Sequence, residues 1–126
     1  MTQEEKELLK DLCARLDTNL VCSIYRTDDE GVGYRDEILH GYCKGDIWYE
    51  FYFREDCSIG IDNVSKIKPY LFPLSSITKK RLEELSEYID IKNAYVAVEL
   101  LNSHHIDYRG LIEKGLAIDA TGLNIY

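Results

Sequence analysis

The sequence predicts an α+β fold: an antiparallel sheet of four to five strands packed by an N-terminal helix and two to three C-terminal helices. Three observations predict it. Residues 3–16 repeat apolar side chains at helical spacing. From Leu20 to Ile61 the pattern switches to period two, with turn residues between the runs. Helical periodicity returns only after Thr78. Strands that follow one another without intervening helices pair antiparallel, and helices grouped at the chain's ends cover the sheet they make. At 126 residues the chain reads as one domain, residues 1–126. A domain of that size buries roughly two-thirds of the surface its unfolded chain exposes.

Thr2 followed by Glu5 is a capping box, in which each side chain satisfies an orphan N–H of a helix's first turn. Leu8, Leu9, Leu12, Cys13 and Leu16 then form one stripe, and Asp17-Thr18-Asn19 ends the helix. Leu20, Cys22 and Ile24 alternate with Val21, Ser23 and Tyr25, the pattern of a strand buried on both faces. Residues 27–33 read as a loop. Strands follow over about 34–43 and 46–54, joined by a tight turn at Lys44-Gly45. In the second, Ile47, Tyr49, Phe51 and Phe53 share a core face, whereas Trp48, Glu50, Tyr52 and Arg54 share a half-wet one. A short strand, Cys57 to Ile61, closes the meander. Pro69 and Pro73 forbid a helix over 62–77 and exclude a central strand, which leaves an ordered loop carrying Tyr70, Leu71 and Phe72. Thr78 caps a helix over about 79–90 with Leu82, Leu85 and Ile89 inward. A second helix spans about Ala94 to His104, with Val96, Leu100 and Leu101 in step. A third, short one starts at its N-cap Asp107 and stops at Gly115. Leu116-Ala117-Ile118 reads as a last strand.

Composition narrows the function classes. Net charge is −8 and the isoelectric point is near 4.8, so the chain repels nucleic-acid phosphates and general DNA or RNA binding is not expected. No run of 18 apolar residues spans a membrane. The start, Thr2-Gln3-Glu4-Glu5-Lys6, has no secretory leader pattern. A cytoplasmic protein is expected, with Cys13, Cys22, Cys43 and Cys57 as reduced thiols. Their spacings fit no zinc template, and neither a metal nor a cofactor is expected. Ten Tyr suit either a half-buried sheet or an interaction surface, because the ring is apolar and the tip polar.

Chemistry has few places to sit. His104 and His105 are adjacent and point about 100° apart on a helix, so they cannot share an ion. Cys43 and His40 lie three apart on one predicted strand and face opposite sides. Lys79-Lys80-Arg81 opens a helix, where positive charge opposes the macrodipole at a few tenths of a kcal/mol each. With Lys66 and Lys68 these residues make five cations between 66 and 81, an anion-binding or docking patch if they are not simply solvated. Asp107-Tyr108-Arg109 reads as a cap, a packed ring and a local ion pair. Tyr108 and Arg109 are also the residue types enriched at binding hot spots.

The string His105-Ile106-Asp107-Tyr108-Arg109-Gly110-Leu111-Ile112-Glu113-Lys114-Gly115-Leu116-Ala117 resembles the C-terminal signature of a family of small uncharacterised proteins encoded by gut-bacterial phages and prophages. Residues 8–16 are similar to that family's opening helix, and residues 68–78 to its Pro-Tyr-Leu…Pro…Ser-Ser-Met-Thr segment. The three segments cover about a quarter of the chain. The family follows the Thr with acids where this chain has Lys79-Lys80-Arg81, and it has Phe at Ile106 and Met at Ile77. The resemblance implies a phage or prophage accessory protein in bacterial cytoplasm, and no mechanism. The expected function is a non-enzymatic protein-binding or regulatory module for a host or phage protein, with Tyr108, Arg109, Lys79, Lys80 and Arg81 as candidate binding residues. The alternatives are a small hydrolase or nucleotide-processing enzyme assembled in the fold from His40, Cys43, His104 or Asp107, and a virion or assembly component.

Overall fold

The computed structural model describes residues 1–28, 31–44, 49–54, 57–81, 83–84 and 94–126. Its first element is the expected helix, α1 (Gln3–Ala14). The capping box is made: the Glu5 N–H donates to Thr2 Oγ1 at 3.1 Å and the Thr2 N–H to Glu5 Oε1 at 3.4 Å. Leu8 and Leu12 are buried, with Leu9, Cys13 and Leu16 packed beside them. Asp17 and Asn19 then take φ of 67° and 56°, a left-handed backbone that short polar residues tolerate and a helix does not.

β1 (Val21–Asp28) and β2 (Gly31–Ile38) form an antiparallel hairpin in register from Val21↔Ile38 to Asp28↔Gly31. Thr27 and Val32 are thus paired strand residues, not members of a loop. The single strand expected over 34–43 is two strands in two sheets. β3 (Gly41–Lys44) pairs with β4 (Tyr49–Arg54), and β4 with β5 (Cys57–Gly60). The corner falls at Leu39 and His40. Leu39 N–H donates to Leu20 O and His40 N–H to Tyr52 O, both at 2.8 Å, so consecutive residues serve different sheets.

A 3-10 segment, Ile61–Lys66, buries Val64 and leads into β6 (Ile67–Pro73). The five-stranded sheet has the order β2-β1-β6-β7, with β8 also on β6. β6 is therefore interior, which corrects the expectation that its prolines exclude a central strand. Its ladder with β1 has three pairs, and Cys22↔Pro69 is the last. The missing proline N–H ends that ladder instead of interrupting it. Pro73 is the strand's final residue. Beyond Pro69, β6 pairs in parallel with β7 (Ile106–Asp107) and β8 (Ile118–Asp119), so the mainly antiparallel sheet is mixed at this end.

Thr78 caps as expected, accepting from the Arg81 N–H at 3.3 Å, and residues 79–81 and 83–84 are helical. Leu82, Leu85 and Ile89 lie outside the described residues, as do Gly45, Ile47, Trp48 and the side chains of Arg54 and Val96. α2 (Ala94–Ser103) follows. The third C-terminal helix is not formed. Residues 108–109 and 111–115 make turns, and Gly110 between them, at φ 71°, is a left-handed residue that halts helical propagation within one turn. The two signals still act locally. Asp107 accepts from the Leu111 and Ile112 N–H groups at 2.8 and 3.0 Å. Leu116 N–H returns to Leu111 O at 2.9 Å past Gly115.

One buried cluster joins α1, both sheets, Val64 and Leu111. The five-stranded sheet contributes Cys22, Ile24, Ile67 and Leu71 from one face, and the three-stranded sheet Phe51, Phe53, Cys57 and Ile59. The opposite face of the larger sheet carries Val32, Tyr34 and Ile38, which stay exposed.

Candidate functional site

The Asp107-Tyr108-Arg109 segment closes on α1. Asp11 and Arg15 lie one helical turn apart on the stripe of Leu8 and Leu12, and both are 0% exposed. Arg15 grips Asp11 with two hydrogen bonds of 2.9 and 3.1 Å and donates to Ile106 O at 2.5 Å. Arg109 reaches the same carboxylate at 3.4 Å. Both guanidinium groups pack on the Tyr108 ring, their carbons 5.2 and 5.4 Å from its centroid. Its hydroxyl donates to Asn102 Oδ1 at 2.8 Å. Burial raises the Asp11 carboxyl above its ordinary range even though Arg15 pulls it down. Tyr108 and Arg109 are thus parts of a connector between α1 and the C-terminal strands. The sequence reading missed its centre, although Asp11 and Arg15 in step with Leu8 and Leu12 were a visible signal.

The residues of the enzyme alternative have separate neighbours. Asp107 is occupied with the Leu111 and Ile112 amides. His40 is exposed at the corner between the sheets. Cys43 is exposed on β3 and bonds to Tyr52, a contact that pushes the phenol up to about 12. His104 meets Arg81, Nε2 to Nη1 at 2.8 Å. His105 is buried against Tyr126, with the rings stacked at 3.7 Å. Its Nδ1 has no hydrogen-bond partner. Burial first, then Arg15 and His104, hold its imidazole down at about 4. Among the described residues no three His, Cys, Asp or Glu converge as metal ligands.

The five cations do not make one patch. Lys66 precedes β6 and Lys79 follows it, and the strand's seven residues span about 23 Å at ~3.3 Å per residue. Lys66 and Lys68 join Tyr25, Tyr34 and Ser65 around a hollow of about 180 Å³ on the exposed sheet face. Tyr25 and Tyr34 sit edge to face at 5.1 Å. Tyr70 crosses over Ser23 to donate to Asp36 at 2.7 Å, and Ser23 is buried beneath it. Lys79, Lys80 and Arg81 are exposed beside a larger hollow of about 370 Å³. Ile106 is its buried floor, Phe72, Ile77, Leu100 and Leu101 are its half-buried walls, and Arg81, Glu84 and His104 stand exposed at its rim.

No protein-family model, curated protein or solved structure matches the chain. Among the described residues no helix is long and apolar enough to cross a membrane.

Proposed function

We infer that the chain is a non-enzymatic binding module that docks a partner protein on the exposed face and edge of its larger sheet, at β2. The observation that carries this reading is the exposure of Val32 at 71%, Tyr34 at 68% and Ile38 at 40% on the strand that ends the sheet. An edge strand offers unpaired N–H and C=O groups to an incoming strand, and proteins blunt such edges with lysine or proline. β2 carries neither. Strand addition supplies affinity through the backbone and specificity through alternate side chains. Here the alternate side chains are Val32, Tyr34 and Ile38. Lys66 and Lys68 beside Tyr34 favour a partner segment that alternates apolar and acidic residues. The C-terminal resemblance to phage and prophage proteins makes a host or phage protein in the bacterial cytoplasm the partner to seek.

The test is affinity purification of the tagged protein from host cells, with mass spectrometry and light scattering on the complex. One stoichiometric companion is expected, and it should be lost with Val32→Asp/Tyr34→Asp while the circular dichroism stays native. A companion that survives that double substitution moves the docking site elsewhere. A stable homo-oligomer without a companion replaces this reading with that of an assembly component.

A further inference from the structure

The 370 Å³ hollow lies between the helical residues 79–81 and 83–84 and the C-terminal half of α2, on the paired residues Phe72 and Ile106. It is independent of the sheet face described above. Pockets that hold small ligands begin at about 300 Å³ and are apolar with a few convergent polar groups. This one has five apolar side chains below and three charged or titratable ones at the mouth. Four of the five, Phe72, Ile77, Leu100 and Leu101, remain half-exposed, so the hollow leaves apolar surface in water that an occupant would cover.

The rim defines the occupant's head group. A guanidinium has donors and no acceptor, so the 2.8 Å contact between Arg81 Nη1 and His104 Nε2 requires His104 to accept with an unprotonated Nε2. That contact gives Arg81 a hydrogen-bond acceptor but no negative charge. Lys79 and Lys80 add positive charge in the same turn, where the helix dipole opposes it. That arrangement costs stability locally and is explained if the charge faces an anion. Glu84 stands on the same rim and repels a doubly charged group, which favours a carboxylate over a phosphate. The volume sets the length. A liquid water occupies about 30 Å³, so the hollow takes roughly a dozen non-hydrogen atoms.

We propose that this hollow binds a small amphipathic monocarboxylate, with its apolar tail on Ile106, Phe72, Leu100 and Leu101 and its head group on Arg81. The probe is decanoate below its micelle threshold, titrated calorimetrically into the full chain, with decanol as the uncharged comparison. Saturable one-to-one binding of decanoate is expected. Arg81→Ala should weaken decanoate about tenfold and leave decanol unchanged. Leu101→Trp, which fills the space, should abolish both. Backbone amide shifts on titration should concentrate at Phe72, Leu100, Leu101 and Ile106. No saturable binding overturns the proposal, as do equal losses of decanoate and decanol on Arg81→Ala or shifts centred away from these residues. If Leu101→Trp fails to fold, the Arg81→Ala comparison and the shift map still decide.

Discussion

Asp11 and Arg15 remove two charges from water at the centre of the α1 stripe, and their geometry shows how that is tolerated. Both Asp11 oxygens meet Arg15, one also faces Arg109, and the Arg15 Nη2 that holds Asp11 Oδ1 also donates to Ile106 O, which leaves only the buried Nη1 without a partner among the described residues. Removing one member of a buried pair leaves the other unpaired and costs about 3–5 kcal/mol, whereas replacing both by apolar groups is often neutral. Arg15→Met is therefore expected to lower the unfolding free energy measured in urea by that much, and Asp11→Leu/Arg15→Met to recover most of it. A single substitution costing under about 1 kcal/mol would show that the pair does not connect α1 to the C-terminal strands. His105 makes the second residue-scale prediction. Its φ of 60° places a left-handed residue just past α2, and its ring is held at about 4 against an ordinary 6.5. The unfolded chain thus takes up the proton first. The contribution is whole above pH 6.5 and is lost as pH falls toward 4. At 1.36 kcal/mol per unit it amounts to at most about 3 kcal/mol. His105→Asn keeps a residue that accepts left-handed backbone. Urea midpoints from pH 7 to 4 should fall more steeply for the native chain than for that variant.

At the scale of elements, the local signals were legible wherever one residue acts on its neighbours. Thr2 with Glu5, Thr78 with Arg81, Asp107 with its amides and the core face of Phe51 and Phe53 all follow from spacing alone. What spacing could not show is tertiary override. Gly110 sits inside an otherwise acceptable helix start, and only its left-handed φ reveals the interruption. Pro69 reads as a strand breaker until the ladder that ends at it is known. Tyr126 is a related case. The β1–β6 ladder stops at Cys22↔Pro69, and the Tyr126 hydroxyl sits just beyond, accepting from the Val21 N–H at 3.0 Å and donating to Tyr70 O at 2.8 Å. It bridges the two strands where their own pairing gives out. Tyr126→Phe is expected to cost about 1 kcal/mol, the net worth of such bonds, and to speed hydrogen exchange at the Val21 amide. Unchanged exchange there would mean that the ring stack on His105, and not the hydroxyl, holds the strands.

Over the whole molecule, the α+β class was legible from the order of periodicities, but the division into two sheets was not. Period two runs through Leu39 and His40 because each backbone N–H finds a ladder, and alternation does not say which sheet supplies it. The same limit hid the candidate surfaces. The aromatic sheet face and the Arg81 hollow draw on residues from Tyr25 to Ile106, and no linear motif links them. Their arrangement sets up a whole-molecule tension. A net charge of −8 keeps copies apart, while β2 presents the exposed Val32, Tyr34 and Ile38 to each of them. Near the isoelectric point of about 4.8 the repulsion vanishes, and light scattering should report association as pH is lowered to that value. Loss of His105 stability acts in the same window, so unfolding must be separated from edge pairing. Val32→Lys, compared at its own isoelectric point, should suppress association because lysine blocks an incoming strand. His105→Asn should leave it in place, with a native near-ultraviolet spectrum. The reverse pattern, association unchanged by Val32→Lys and abolished by His105→Asn, would assign it to partial unfolding and remove the β2 edge as a docking strand.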